Sequence, residues 1–172
     1  ENPFTDISKS DYFYDAVLWA ADKGITSGVT DTLFAPNVSC TRAQMVTFLW
    51  RAAGSPAPAS TENPFADIAQ DAYYYDAVLW AAEQGITGGT SATTFAPDMT
   101  VTRSQTVTFL YRAAGTLAVS GGSFADVDAN AYYADAVAWA VAEGITSGTS
   151  ATTFSPNAPC TRAQIVTFMY RD

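Results

Sequence analysis

The sequence predicts an all-α fold made of three helix–loop–helix repeats, and three observations carry the prediction. Phe4 to Gly54 aligns without a gap onto Phe65 to Gly115, and again onto the chain from Phe124. Self-similarity at a period of about 50–60 residues decides the architecture before single residues are weighed. Each repeat holds two stretches with apolar residues at helical spacing. Every arginine falls at one of two places in the repeat. Arg42, Arg103 and Arg162 sit in T-R-[AS]-Q, and Arg51, Arg112 and Arg171 close the same stretch.

The first helix of each repeat is expected over Asp11–Lys23, Ala72–Gln84 and Asn130–Glu143, which are rich in Ala and free of Pro. Phe13, Ala16, Val17 and Ala20 give the helical stripe in the first copy. Gly24, Gly85 and Gly144, each followed by Ile, then supply a stop of the Schellman type. The second helix is expected to start at Thr41, Thr102 and Thr161. Gln44, Gln105 and Gln164 complete a capping box with these threonines. Met45, Phe48, Leu49 and Ala52 follow as an apolar stripe. The turn-rich stretch between the helices, about 16 residues, is long enough to be functional or packed on itself.

The repeats span 1–54, 62–115 and 123–172, with linkers at 55–61 and 116–122. A unit of about 50 residues buries little core alone, so one domain of all 172 residues is expected. Near-equal connections let three like units close around a pseudo-threefold axis. The second helices are the better candidates for a central three-helix bundle.

Composition narrows the function. A net charge of −9 gives no basic footprint for nucleic acid or for a polybasic membrane contact. No run of apolar residues is long enough for a transmembrane helix, so membrane insertion is not expected. The opening residues lack a leader pattern, which says nothing against export. With no His and no nucleophile–base pair, catalysis is not expected, and no cofactor is called for. Asp126-Val-Asp128-Ala-Asn130 starts like a calcium loop, but Ala131 stands where Gly is required and Val137 where Glu is, so no metal is expected.

Arg51, Arg112 and Arg171 suit a helix C-terminus, where a cation meets the negative dipole end. Arg42, Arg103 and Arg162 sit at the unfavourable end. One reading pairs them with an acid of their own repeat, such as Asp6 or Asp15. The other makes helix N–H groups and guanidinium a joint anion site, with folding surviving the loss of the arginine. Cys40 and Cys160 occupy equivalent places, with Val101 between them in the second repeat, and read either as small apolar core residues or as a disulfide. Trp19, Trp80 and Trp139 read first as packing residues.

Taken together, F-x-D-[IV], Y-[FY]-x-D-A-V, G-I-T-x-G, F-x-P and T-R-[AS]-Q resemble the S-layer homology domain across all three repeats. The resemblance implies a three-pronged body on a three-helix base. It also implies non-covalent anchoring to a bacterial secondary cell wall polysaccharide, often one bearing pyruvylated N-acetylmannosamine. By the same resemblance, Arg42, Arg103 and Arg162 would grip the acidic substituent. Asp6, Asp67 and Asp126 would accept sugar hydroxyls, and Gly28, Gly89 and Gly148 would let a ligand approach the backbone. Gln44, Gln105 and Gln164 stand where the family carries Glu, which removes a negative charge beside each arginine. Tyr12, Tyr73 and Tyr132 are placed to line a groove. The implied protein is extracellular, at the cell wall, a monomer of three like units within a larger surface protein. A protein–protein or adhesin module remains the other reading.

Overall fold

The computed structural model describes residues 1–119 and 124–172, so the end of the second linker and residue 123 lie outside the described residues. Its helices are α1 (Tyr14–Asp22), α2 (Arg42–Ala52), α3 (Tyr75–Glu83), α4 (Arg103–Ala113), α5 (Ala134–Ala142) and α6 (Arg162–Arg171). The fold is all-α, and its cross-repeat extended contacts are isolated bridges. Among the described residues no helix is long and apolar enough to cross a membrane.

The first helices begin later than expected. Asp11 accepts from the Ser8 N–H through its carboxylate at 2.7 Å, and the Tyr14 N–H reaches only back to the Asp11 carbonyl at 3.0 Å. These tight turns delay regular α-helix until Tyr14. The stops are as expected. Gly24, at φ +70°, donates to the Ala21 carbonyl while Ile25 donates to that of Ala20, and both later repeats follow suit.

All three capping boxes form. Thr41 accepts from the Gln44 N–H, and Gln44 accepts from the Thr41 N–H, with the same exchange at Thr102/Gln105 and Thr161/Gln164. The remaining first-turn donors of α2 are taken by the second repeat. Arg42 N–H donates to the Met99 carbonyl at 2.9 Å and Ala43 N–H to that of Pro97 at 3.0 Å. Arg103 and Ser104 donate to Ala158 and Pro156, and Arg162 and Ala163 to Val38 and Pro36. Repeat one therefore docks on two, two on three, and three on one.

The main helix pairings run across repeats as well: α2 with α3, α4 with α5, and α6 with α1. Where the repeats meet, Cys40 N–H donates to Cys160, Val101 N–H to Cys40, and Cys160 N–H to Val101. The side chains of all three are fully buried. Both thiols are free, and burial pushes Cys40 up to about 12 and Cys160 to about 11. Trp139 is buried, while Trp19 and Trp80 are half-buried against the core.

Candidate functional site

The loop between the helices is held by the aspartate of F-x-D. Asp6 accepts from Phe34 N–H at 2.9 Å and from Ala35 N–H at 2.7 Å. Asp67 does the same for Phe95 and Ala96, and Asp126 for Phe154 and Ser155. Ala35, Ala96 and Ser155 adopt φ near +60°, a left-handed conformation costing roughly 1–2 kcal/mol for a residue with a Cβ. Two charge-assisted bonds offset that strain. Burial raises the Asp67 pKa, but the N–H donations outweigh it and hold the carboxyl below its ordinary 3.8. These aspartates are loop clamps, and they do not line the clefts described below.

The loop glycines likewise serve the chain itself. A Cβ on Gly28, at φ +88°, would lie 2.5 Å from the Thr30 carbonyl oxygen and 2.6 Å from the Phe4 ring. The close approach that requires glycine is therefore between the loop and its own F-x-D segment. The same applies to Gly89 with Phe65 and Gly148 with Phe124.

The arginines of T-R-[AS]-Q are the most buried charges of the chain, with Arg42 at 3% and Arg103 and Arg162 at 4% exposure. Arg42 Nε donates to the Phe95 carbonyl at 2.9 Å. Its guanidinium carbon lies 4.8 Å from the centre of the Phe95 ring and 5.3 Å from that of Phe109. Arg103 repeats this with Phe154 and Phe168, and Arg162 with Phe34 and Phe48. Burial lowers the Arg42 pKa, while Tyr132 and Asp67 support its charge.

Two expectations are corrected here. The acid whose field reaches each arginine belongs to the next repeat in the cycle: Asp67 for Arg42, Asp126 for Arg103, Asp6 for Arg162. Nor is the helix N-terminus an open anion site, because its first-turn N–H groups are taken by the cap and by the neighbouring loop. Any pull on an anion comes from side chains.

Those side chains converge. A cleft of about 360 Å³ is lined by Arg42 from repeat one, Thr87, Gly89, Gln105 and Arg112 from repeat two, and Tyr132 from repeat three. A second, of about 280 Å³, gathers Arg162, then Thr26, Gly28, Gln44 and Arg51, and finally Tyr73. Each of these two clefts thus brings together a predicted arginine, glycine, glutamine and tyrosine from three repeats, while Arg103, Gly148, Gln164 and Tyr12 line neither. Tyr12, Tyr73 and Tyr132 stand 66%, 63% and 65% exposed, each edge-on to its neighbour Phe13, Tyr74 or Tyr133. Burial raises the Tyr12 pKa, while Arg171 and Arg103 pull it down, so Tyr12 lies in the field of the corresponding third pair.

The sequence reading placed Gln105 and Gln44 in the site but missed the rest of the cleft floor. Gln105, Thr108, Phe109 and Arg112 follow one another at i, i+3, i+4 and i+7 on α4, so one helix face presents them all. Gln44, Thr47, Phe48 and Arg51 do the same on α2. That spacing was the available signal.

The S-layer homology domain family matches residues 3–46, 64–107 and 123–166. An endoglucanase of Bacillus sp. (strain KSM-635) is 32% identical over 111 residues, 64% of this chain and 12% of that protein. The Surface-layer 125 kDa protein of Lysinibacillus sphaericus is 35% identical over 108 residues, 63% of this chain and 9% of its own length. A cell surface protein of Thermoanaerobacter kivui is 30% identical over 117 residues, 66% and 15% of the two chains. The chain spans about a tenth of the length of these relatives. With three tandem matches, and with a surface-layer protein and a cell surface protein among its relatives, this chain belongs to the S-layer homology domain family and takes its place at the bacterial cell surface.

Proposed function

We propose that the chain anchors a larger surface protein to the bacterial cell wall non-covalently, holding an acidic wall polysaccharide, such as a pyruvylated one, in the clefts between repeats. The observation that carries this reading is the composite cleft. A buried arginine, a Thr/Gly loop, a donor-rich helix face and an exposed tyrosine come from three repeats onto one concave surface. The repeats 1–54, 62–115 and 123–172 act as one monomeric domain. The cyclic contacts support reading the repeats as three prongs closed about a pseudo-threefold axis, with α2, α4 and α6 taken as the central helices. The exposed tyrosine faces suit the apolar face of a sugar ring.

The module is read as non-catalytic. The endoglucanase relative aligns over 12% of its length, so its named activity is not carried to this chain. The bulk charge of −9 repels a polyanion, so affinity must come from short contacts inside the clefts.

The test is sedimentation of the intact chain with purified sacculi, before and after chemical removal of the wall polysaccharide. Binding is expected only before stripping. Tyr73→Ala with Tyr132→Ala, at exposed positions whose loss spares the core, should weaken it about tenfold, or about 1.4 kcal/mol. Equal binding to stripped sacculi would favour a protein partner and defeat the reading.

A further inference from the structure

Two arginines face each cleft, one at the start of a helix and the other at the end of a helix in a different repeat. Arg42 shares its cleft with Arg112, and Arg162 shares its cleft with Arg51. Neither lining includes a single Asp or Glu, in a chain with 17 acidic residues against 8 basic ones. Bringing two cations together without an acid between them is unfavourable in the empty cleft.

The hydrogen bonds leave these cations available. A guanidinium carries five N–H donors. Among the described residues, the Arg42 side chain donates only through Nε to Phe95, and that of Arg103 only through Nε to Phe154. Arg162 adds one long contact, Nη2 to the Thr26 hydroxyl at 3.5 Å. At the other end of the cleft, Arg112 Nη1 donates to the Ile86 carbonyl and Arg51 Nη1 to that of Ile25, both at 3.2 Å, which aims each head without using its full fork. Gln105 and Gln44 spend their carbonyl oxygens on the caps, so the amide N–H donors remain. A Glu at that position would put a negative wall in the cleft. Arg162 feels its partner: burial lowers its pKa, and Arg51 adds to that lowering.

We propose that the helix-closing arginines Arg51 and Arg112 are specificity residues of the same clefts, which makes each a two-arginine site for a sugar bearing an anionic carboxylate or phosphate group. This rests on the cleft being the glycan site. The buried arginine supplies a fixed donor edge, and the half-exposed one closes on the remaining anion oxygens. Such a fork-to-oxyanion contact distinguishes Arg from Lys.

The experiment measures equilibrium binding by NMR titration of the intact chain with three probes: methyl glucoside, its 4,6-pyruvate ketal, and methyl glucoside 6-phosphate. Sacculus binding is measured in parallel. Wild type is expected to prefer an acidic probe to the neutral one, and the favoured acid identifies the anion. Arg51→Gln with Arg112→Gln should reduce that preference about tenfold while weak neutral binding and the melting midpoint stay close to wild type. Arg51→Lys with Arg112→Lys should recover it in part. If the Gln variant keeps the full preference, Arg51 and Arg112 only stabilise their helices, and the inference is overturned while sacculus binding stands. If wild type shows no acid preference yet sediments with sacculi, the two-arginine site is likewise overturned. Loss of wild-type sacculus binding itself would sink the anchoring reading.

Discussion

Arg103 and Arg112 stand at opposite ends of α4, and helix electrostatics would rank them the wrong way round. The cation at the C-terminus meets the favourable dipole end, while the one at the N-terminus opposes it by about 0.3–1 kcal/mol. Yet Arg103 is the buried one, clasped by the Phe154 carbonyl and two phenyl rings, and Arg112 is half-exposed on a single carbonyl of its own repeat. Position relative to the repeat boundary explains the reversal. The start of α4 is where repeat two meets repeat three, and cation–π contacts of about 0.5–2 kcal/mol each exceed the dipole term. The same residue type is a structural clasp at one end and a free hand at the other.

The largest effect that tests this contrast is Arg103→Ala. It leaves a buried carbonyl without its donor and two rings without their cation, and should cost about 3 kcal/mol in urea unfolding. The sequence alone suggested that folding would survive this loss, and the clasp reverses that expectation. A midpoint equal to that of Arg112→Ala would break the comparison. Next comes the cap beside it: Thr102→Ala should cost about 0.5–2 kcal/mol, read as a drop in melting temperature, because Thr102 accepts from Gln105 N–H.

Asp67→Asn probes the loop that Arg42 clasps, through pH. The folded carboxyl titrates below its ordinary 3.8, so its contribution is fully present above that value and is lost as pH falls through the folded one. The group is largely solvated, so screening holds its contribution to about 1 kcal/mol. Wild type should lose stability below pH 3.8 more steeply than the Asn variant, and parallel acid limbs in a melting series would refute the clamp. Smallest is Arg112→Ala, at about 0.5 kcal/mol in the same urea assay. A cost near that of Arg103→Ala would move Arg112 into the structural set.

What could be read from the sequence was whatever the chain settles locally. Capping boxes join residues three apart, and Schellman stops join neighbours, so Thr41, Gln44, Gly24 and Ile25 declared themselves. The clasp could not be read in this way, since Arg162 and Phe34 lie 128 positions apart. Repetition showed that Asp6 and Gly28 matter, but it could not say to whom. Both serve their own loop, and Gly28 lines a cleft as well, while the arginines pass to the next repeat. The first-helix starts were misplaced because an Ala-rich, Pro-free segment looks helical even where Asp11 ties it into a turn.

The cycle of contacts has one more consequence, for the order in which the repeats must be strung together. Repeat three meets repeat one through α6 on α1, with the Trp19 and Tyr170 rings 5.6 Å apart, just as two meets three. Among the described residues, the backbone and arginine–carbonyl contacts recur at all three boundaries of that cycle. A circular permutant opened within 55–61 and joined from 172 back to 1 by a spacer of similar length would keep every inter-repeat clasp. Its linear order is then a matter of where the covalent chain happens to be open.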